Sequence, residues 1–184
     1  MKNAAIFWFT GLSGAGKTTL SLHVKDKLKE DGWTVKILDG DSIRANYNIK
    51  LGFKREDIEK NNMNIVKICK AQRKSYDVLL VPVISPIDHF RKMARKMLEP
   101  FFHLIYLSSS IDSLKKRDPK GLYGKADKGE IKDLIGYSKT SPYEAPADAD
   151  LKLDTSSPAT LELSIETIME FIKSNSNTKN LHFR

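Results

Sequence analysis

The sequence predicts an α/β fold in which a parallel sheet of five strands carries helices on both faces. Short apolar segments alternate with amphipathic segments along most of the chain, and this alternation is typical of repeated β–α units. One segment, residues 77–84, is almost continuously apolar, as expected for a strand covered on both faces, and we place it at the centre of the sheet. We therefore expect ligands to bind at the carboxyl ends of the strands.

The composition is that of one ordinary globular domain. The chain has 184 residues, which is enough to bury a core without disulfides. Hydrophobic residues make up 40% and charged residues 29%, which excludes collagen-like and wholly disordered chains. The formal net charge of +8 suits an anionic partner, whether a nucleic acid, a membrane surface or a small phosphorylated ligand.

The sequence also predicts a cytoplasmic protein without membrane contact. Cys69 is the only cysteine, so no intramolecular disulfide can form. The apolar segments are much shorter than the ~20 residues that a membrane helix needs. The start MKNAAIFWF lacks the apolar stretch and cleavage site of a secretory signal.

In the first part of the chain, two β–α units precede the apolar strand 77–84. A strand is predicted at residues 4–9, followed by a glycine-rich loop and by a helix that ends at Gly32. The second strand is predicted at residues 34–38. A polar stretch then leads to a helix over residues 56–74, whose apolar side chains fall near one face.

The second part continues the alternation and contains one long irregular segment. We predict helices at 89–98, 111–117 and 158–172, and strands at 102–107 and 151–153.

Residues 118–148 have no periodicity and are longer than a plain connector, so they are predicted to form a lid. Residues 1–173 then form a single domain, and residues 174–184 a flexible tail.

The segment GLSGAGKT at residues 11–18 matches the phosphate-binding pattern G-x-x-x-x-G-K-[ST] between an apolar strand and an amphipathic helix. It predicts the P-loop NTPase fold. Backbone N–H groups would cradle phosphates, Lys17 would reach the β- and γ-phosphates of ATP, and the Thr18 hydroxyl would bind Mg²⁺. The predicted nucleotide-binding residues are Gly11, Ser13, Gly14, Ala15, Gly16, Lys17, Thr18 and Thr19.

Two carboxylates follow the second predicted strand in LDGDSIR. Asp39 and Asp41 would lie at the same edge of the sheet as the phosphate loop. One would support Mg²⁺ and the other would accept or orient the proton of a substrate hydroxyl, while Arg44 would bind an anionic group. The alternative is a helix N-cap at Asp41 with a solvated arginine.

The lid carries many cations, beginning with RDPKGLY at residues 117–123. Such a segment would close over phosphates, stabilise developing charge and exclude water; alternatively, it is a solvated basic loop. The predicted catalytic residues are Lys17, Asp39, Asp41, Arg117 and Lys120, and the predicted metal ligands are Thr18 and Asp39.

Seven segments in this order resemble the adenylylsulfate kinase family: GLSGAGKTT, LDGDSIR, LGF, ISP, RDPKGLY, GEIKDLIG and SPYEAP. The resemblance covers residues 6–155, and RDPKGLY and SPYEAP are much more restrictive than the phosphate loop. It implies an enzyme of sulfate assimilation that uses ATP and Mg²⁺ to phosphorylate the ribose 3′-hydroxyl of adenosine 5′-phosphosulfate. Relatives form dimers, so the resemblance also implies a homodimer.

The resemblance also implies roles for individual residues. Asp41 would face the 3′-hydroxyl and Arg44 the acceptor. Phe53 would stack on the acceptor base, and Lys132 would approach from the lid. Ser85 matches a serine that is phosphorylated in some members of the family. The substrate-binding residues implied in this way are Asp41, Arg44, Phe53, Asn61, Ile84, Ser85, Pro86, Lys132 and Leu134.

The sequence departs from the family pattern on the acceptor side. Ile58 replaces an arginine and Lys60 a glutamate. In the lid, Leu134 replaces an aromatic that stacks on the acceptor base, Ile135 a threonine and Asp127 an arginine. Loss of a stacking partner costs on the order of 1–3 kcal/mol. Loss of an arginine that binds an anion costs about 1.5–3 kcal/mol.

These departures leave alternatives open. Either lysines such as Lys54 or Lys60 compensate, or the acceptor is a different nucleotide. A relative of the family phosphorylates the 3′-hydroxyl of cytidine diphosphoramidate in capsule phosphoramidate synthesis, and its smaller pyrimidine would suit Leu134. An alternative of another class is a non-catalytic P-loop protein that binds nucleotides or nucleic acid. The scattered basic residues disfavour nucleic acid as a partner.

Overall fold

A computed structural model of the chain describes residues 3–46, 51–157 and 161–176. The elements are β1 (Ala5–Thr10), α1 (Lys17–Glu30), β2 (Val35–Ile37), α2 (Gly40–Ala45), α3 (Arg55–Gln72), β3 (Val78–Pro82), α4 (Asp88–Leu98), β4 (Phe102–Ser108), α5 (Ile111–Arg117), α6 (Leu122–Asp127), β5 (Leu151–Asp154) and α7 (Leu161–Asn175). Within those ranges, no helix is long and apolar enough to cross a membrane.

The five strands form one parallel sheet in the order β2-β3-β1-β4-β5. This confirms the predicted α/β fold. The central strand is β1, however, and not β3 as we predicted. Both strands are buried along their whole length, because each has a strand on both sides and helices packed over both faces. Burial therefore identifies an inner strand but does not distinguish the middle of the sheet from the next position.

Helices cover both faces of the sheet, and the side chains of β1 alternate between two buried clusters. Phe7 and Phe9 belong to a cluster that includes side chains of α1 and α7. Ile6 and Trp8 belong to a second cluster, which includes side chains of α3 and α4. This arrangement leaves the carboxyl ends of the strands as the edge where loops meet.

The predicted lid is not a plain loop. It contains α6, which begins after Gly121 in the left-handed conformation. The two carboxylate oxygens of Asp118 accept hydrogen bonds from the backbone N–H groups of Tyr123 (3.2 Å) and Gly124 (2.9 Å) and so stabilise its first turn. Six residues are too few to show a helical period in the sequence, which is why this helix was missed.

Two other boundaries differ from the prediction. The polar stretch after β2 contains the short helix α2, whose N-cap is Asp39. The last helix, α7, continues to Asn175, so the first residues of the predicted tail are helical. The remainder of that tail, residues 177–184, lies outside the described residues.

Candidate active site

The phosphate loop adopts a conformation that its glycines make possible. A Cβ atom at Gly11, with φ at 151°, would lie 2.5 Å from the carbonyl oxygen of Leu107. Gly16 is left-handed, with φ at 92°, and α1 begins at the next residue. The N-terminus of α1 is therefore open to an anion, because no side chain caps it.

Lys17 is folded back onto its own loop. Its ammonium donates hydrogen bonds to the carbonyl oxygens of Gly11 (2.9 Å) and Leu12 (2.8 Å). Burial lowers the pKa of Lys17 from 10.5 to about 8; the nearby Asp41 carboxylate opposes this shift, and the Lys120 ammonium adds to it. Within the described residues, the ammonium has only neutral carbonyl oxygens as hydrogen-bond partners, and a phosphate group at this position would give it an anionic partner.

Thr18 and Asp39 are in direct contact. The Thr18 hydroxyl donates to Asp39 Oδ2 at 3.0 Å, while Asp39 Oδ1 accepts from the backbone N–H groups of Asp41 and Ser42, both at 3.0 Å. Asp39 is thus fixed by α2 with one oxygen aimed at the phosphate loop. Hydroxyl and carboxylate oxygens are the donors that Mg²⁺ prefers, so these two residues fit the metal.

Protein ligands alone would not hold a metal firmly here. Across the described ranges, no group of three or more histidine, cysteine or acidic side chains could hold an ion. Two protein oxygens suit Mg²⁺ in nucleotide enzymes, since this ion usually binds phosphates and water as well.

Asp41 contacts the lid. Its Oδ2 accepts a hydrogen bond from Lys120 Nζ at 2.7 Å, and both side chains are more than half exposed. Gly40 brings this first turn of α2 close to the end of β3, since a Cβ there would lie 2.6 Å from the Val83 side chain. The structure therefore brings together two of the predicted catalytic residues that are far apart in sequence.

Two adjoining cavities lie at the phosphate loop. The P-loop cavity, of about 130 Å³, is lined by Ser13, Gly14, Gly16, Lys17, Thr18, Thr19, Asp39, Asp41, Pro82, Val83, Ile84, Pro119 and Lys120. The Arg117 cavity, of about 350 Å³, is lined by Gly14, Ala15, Gly16, Thr19, Leu20, Arg117, Pro119, Thr155, Ser157, Leu161 and Ser164. They share Gly14, Gly16, Thr19 and Pro119, so one elongated ligand could occupy both.

A third cavity, of about 490 Å³, lies beyond β3. We call it the Phe53 cavity; it is lined by Phe53, Lys54, Arg55, Ile58, Pro86, Ile87, Asp133, Ile135, Thr140, Ser141, Pro142 and Glu144. The ISP loop (residues 84–86) connects it to the P-loop cavity, because Ile84 lines one and Pro86 the other.

Arg44 and Phe53 form one unit at the mouth of the Phe53 cavity. The guanidinium carbon of Arg44 lies 4.8 Å from the centre of the Phe53 ring, and the same guanidinium donates to the carbonyl oxygen of Gly52. Phe53 is 57% exposed, which is unusual for a phenylalanine. A ring held in this way offers a free face to a planar ligand.

Asn61 and Ser85 are both buried, at 1% exposure. The Asn61 carbonyl oxygen has no hydrogen-bond partner among the described residues, which is uncommon for a buried polar atom. Ser85 Oγ accepts from Nδ2 of the neighbouring Asn62 at 3.0 Å. Ser85 is therefore closed to a modifying enzyme in this conformation.

Leu134, which we expected at the acceptor base, and its neighbour Ile135 lie in different surroundings. Leu134 is 8% exposed and packs in the same buried cluster as Phe7 and α1, and it does not line the Phe53 cavity. Ile135 lines that cavity and packs with Ile58. Lys132 is exposed and lies outside the cavity lining.

Sequence reasoning did not assign Arg91 or Tyr143 to the site. Arg91 is 1% exposed and donates to the carbonyl oxygen of Ser85 at 2.7 Å. Tyr143 shares a hydrogen bond of 2.9 Å with Thr10 at the end of β1. The only sequence signal for Tyr143 was its place in SPYEAP, and Arg91 looked like one of several cations on a basic helix.

Comparisons with known proteins agree with this geometry. A sequence model of the family described as Adenylylsulphate kinase matches residues 3–154. An adenylyl-sulfate kinase of Clostridium acetobutylicum is 38% identical over 172 residues, covering 94% of this chain and 84% of that protein. A probable adenylyl-sulfate kinase of Pyrococcus abyssi is 42% identical over 149 residues, covering 81% of this chain and 84% of that one.

Among solved structures, the Mycobacterium tuberculosis APS kinase CysC in complex with AMPPNP and APS has a TM-score of 0.86 and 31% identity. The match covers 94% of this chain and 99% of that one. The fold and the phosphate-binding site define a phosphotransferase of the P-loop kinase class. Within that class, the chain belongs to the adenylylsulfate kinase family.

Proposed function

We propose that the protein transfers the γ-phosphate of ATP to the ribose 3′-hydroxyl of adenosine 5′-phosphosulfate, giving 3′-phosphoadenosine 5′-phosphosulfate. One observation carries the proposal. Lys17 and Asp41 line a single cavity at the carboxyl edge of the sheet, and the ISP loop connects this cavity to the Phe53 cavity. A phosphate donor and a nucleotide acceptor would thus meet at Asp41.

The donor half follows from the phosphate loop. Backbone N–H groups at the start of α1 bind the phosphates of ATP, and Lys17 leaves its loop carbonyls to pair with them. The Arg117 cavity, whose lining is mostly small and apolar, takes the base. Thr18 and Asp39 would hold Mg²⁺, which when bound neutralises charge on the transferred phosphate.

On the acceptor side, Asp41 orients the 3′-hydroxyl and takes its proton as the bond to phosphorus forms, while the bond between the γ-phosphorus and the bridging oxygen breaks and ADP leaves. Lys120 moves from Asp41 to the phosphates, which frees the carboxylate and stabilises the developing negative charge. Phe53 stacks on the acceptor base, and Arg44 binds an anionic group of the acceptor. The resemblance also assigns Asn61 to the acceptor, although Asn61 is buried and lines none of the three cavities.

The lid covers the reacting atoms and excludes water, which would otherwise hydrolyse ATP. The hydroxyl of Tyr123 in α6 donates to the carbonyl oxygen of Ser13 at 2.9 Å, so the lid and the phosphate loop are already in contact. Arg117, at the base of the lid, donates to Ser109 Oγ at 3.2 Å and faces the donor cavity.

A second candidate acceptor is cytidine diphosphoramidate, and the lining of the Phe53 cavity supports it. Ile58 and Ile135 give this cavity an apolar wall where the family pattern has polar side chains. Lys54 lines the cavity and would bind an anionic group of either acceptor, whereas Lys60 is exposed and outside the lining. The smaller pyrimidine needs less stacking surface than adenine does.

Titration calorimetry with the two acceptors, in the presence of a non-hydrolysable ATP analogue and Mg²⁺, tests the choice of acceptor. We expect adenosine 5′-phosphosulfate to bind at least tenfold more tightly than cytidine diphosphoramidate. If cytidine diphosphoramidate binds more tightly instead, it becomes the proposed acceptor. No binding of either compound would contradict the acceptor half of the proposal.

A further inference from the structure

The hydrogen bonds around the ISP loop point to a function for the SPYEAP segment. We propose that Tyr143, Glu144 and Arg91 are positioning residues that hold the ISP loop in the conformation that binds the acceptor. This inference rests on the proposed function, because the loop affects catalysis only as a wall of the acceptor site.

The ISP loop has a backbone conformation that needs external support. Ser85 has φ at 43°, in the left-handed region that a residue with a side chain rarely adopts. Such a residue persists only where its surroundings hold it in place, and this is common at binding sites. The side chain of Ser85 is itself held by Asn62 of α3.

The first two carbonyl groups of the loop are held by separate elements. The carbonyl oxygen of Ile84 accepts from the Thr10 hydroxyl at 2.5 Å, and this hydroxyl also pairs with that of Tyr143. The carbonyl oxygen of Ser85 accepts from Arg91 Nη1 in α4 at 2.7 Å.

Glu144 holds the third carbonyl group and the start of α4. Its backbone N–H donates to the carbonyl oxygen of Pro86 at 2.8 Å, and its Oε2 accepts from the backbone N–H of Asp88 at 2.7 Å. Its own carbonyl oxygen accepts from Arg91 Nη2 at 2.6 Å. All three carbonyl groups of the loop are therefore held, and two of the supporting residues belong to the lid segment.

The burial of Arg91 favours a positioning role over a purely packing role. Its guanidinium is enclosed between Asp88, the loop and the ring of Tyr143, whose centre lies 5.8 Å from the guanidinium carbon. Burying a charge is costly, and apolar side chains often stabilise an interior equally well. What the guanidinium supplies is a planar set of donors that connects the loop to the lid.

Tyr143→Phe removes a single hydroxyl and keeps the ring that stacks on Tyr106 and Arg91. We expect KM for the acceptor to rise about three- to tenfold, as for one lost hydrogen bond. The KM for ATP should be unchanged. Amide hydrogen exchange of residues 83–88 should become faster. Tyr137→Phe is the matched control, because that hydroxyl contacts Asp127 of the lid and Lys115 of α5 instead.

A second pair of variants approaches the same hydrogen bond from β1. Thr10→Val removes the hydroxyl at nearly constant volume, and with it the bonds to Tyr143 and to the Ile84 carbonyl, so its effect should be at least as large as that of Tyr143→Phe. Thr10→Ser keeps the hydroxyl and should keep the wild-type exchange rate of the loop. Unchanged exchange in both Tyr143→Phe and Thr10→Val would overturn the inference. So would an equal rise in KM for ATP and for the acceptor.

A failure of this inference can be distinguished from a failure of the proposed function. If the wild-type protein phosphorylates a different nucleotide, the same variants are measured with that nucleotide. If it phosphorylates none, the proposed function fails, while the exchange rates of residues 83–88 still show whether Tyr143 and Thr10 hold the loop.

Discussion

Asp39 and Asp41 are two residues apart, yet the surroundings of their carboxylates differ. Both oxygens of Asp39 are engaged, by the Thr18 hydroxyl and by the first turn of α2. The Asp41 carboxylate accepts a hydrogen bond from the exposed Lys120, and a surface ion pair of this kind contributes little to stability. The proposed function therefore assigns Asp41 to the acceptor and Asp39 to the metal site.

The variant Asp41→Asn tests this division of roles. It should lower kcat about 10²- to 10⁴-fold, because an amide cannot take the proton of the hydroxyl. The Kd of a non-hydrolysable ATP analogue with Mg²⁺ should change less than twofold.

Asp26→Asn, which alters an exposed carboxylate paired with Lys25 on α1, is the matched control and should keep full activity. A loss of ATP affinity in Asp41→Asn as large as its loss of kcat would place Asp41 in the metal site.

Lys17 predicts a pH dependence of nucleotide binding. Its pKa is about 8 in the free protein, so the ammonium is lost as the pH rises through 8. Bound phosphate favours the charged form and raises this pKa again, so binding above pH 8 must take up a proton. Affinity should therefore fall about tenfold between pH 7 and pH 9.

Calorimetry at pH 9 in two buffers of different ionisation enthalpy measures that proton directly. We expect uptake to approach one proton per nucleotide at pH 9 and to be small at pH 7. Equal proton uptake at pH 7 and pH 9 would show that Lys17 is charged at both pH values.

Leu134→Phe restores the aromatic residue of the family pattern, but in this chain the position is in the core. A larger side chain there should destabilise the protein by about 1–3 kcal/mol. At this chain length the melting temperature should fall by about 2–12 °C. The affinity for adenosine 5′-phosphosulfate should not improve.

Ile135→Phe is the comparison, since this side chain lines the Phe53 cavity, and it should change acceptor affinity more than Leu134→Phe does. A gain in affinity from Leu134→Phe, with an unchanged melting temperature, would show that Leu134 reaches the acceptor.

At the scale of elements, α6 is one part of the lid that contacts the phosphate loop. Tyr123 is 1% exposed, and its hydroxyl donates to the Ser13 carbonyl. This contact explains how an irregular segment is ordered without a long helix of its own. It also places Lys120 beside Asp41, only three residues before Tyr123.

Tyr123→Phe should therefore loosen α6. Losing this hydrogen bond costs about 1 kcal/mol, and amide exchange in residues 122–127 should become about fivefold faster. Tyr76→Phe, on the opposite side of the sheet, is the control and should leave these amides unchanged. Equal exchange in Tyr123→Phe and the wild type would mean that other contacts hold the lid.

The sequence predicted the elements whose signal is local and missed those that depend on tertiary contacts. GLSGAGKT specifies its loop through glycines and a helix start, so the phosphate site could be placed at once. The helix α6 is stabilised by Asp118 from outside its span, and nothing in its own six residues indicates it.

On the scale of the whole molecule, the acceptor site also depends on tertiary contacts that local sequence signals do not reveal. Adjacent residues of an irregular segment can face opposite ways, so only packing decides that Ile135 and not Leu134 faces the Phe53 cavity. The carboxyl edge of the sheet could be predicted from the β–α order alone. Which lid residues reach that edge depends on contacts made far apart in the chain.

Phosphate transfer from ATP labelled at the γ-position to adenosine 5′-phosphosulfate is the most direct measurement of the central claim. The account predicts one labelled product that carries the phosphate on its 3′-oxygen, and no product from the 3′-deoxy analogue. Failure to label any nucleotide, together with salt-sensitive binding to a random oligonucleotide, would contradict it and favour a non-catalytic protein.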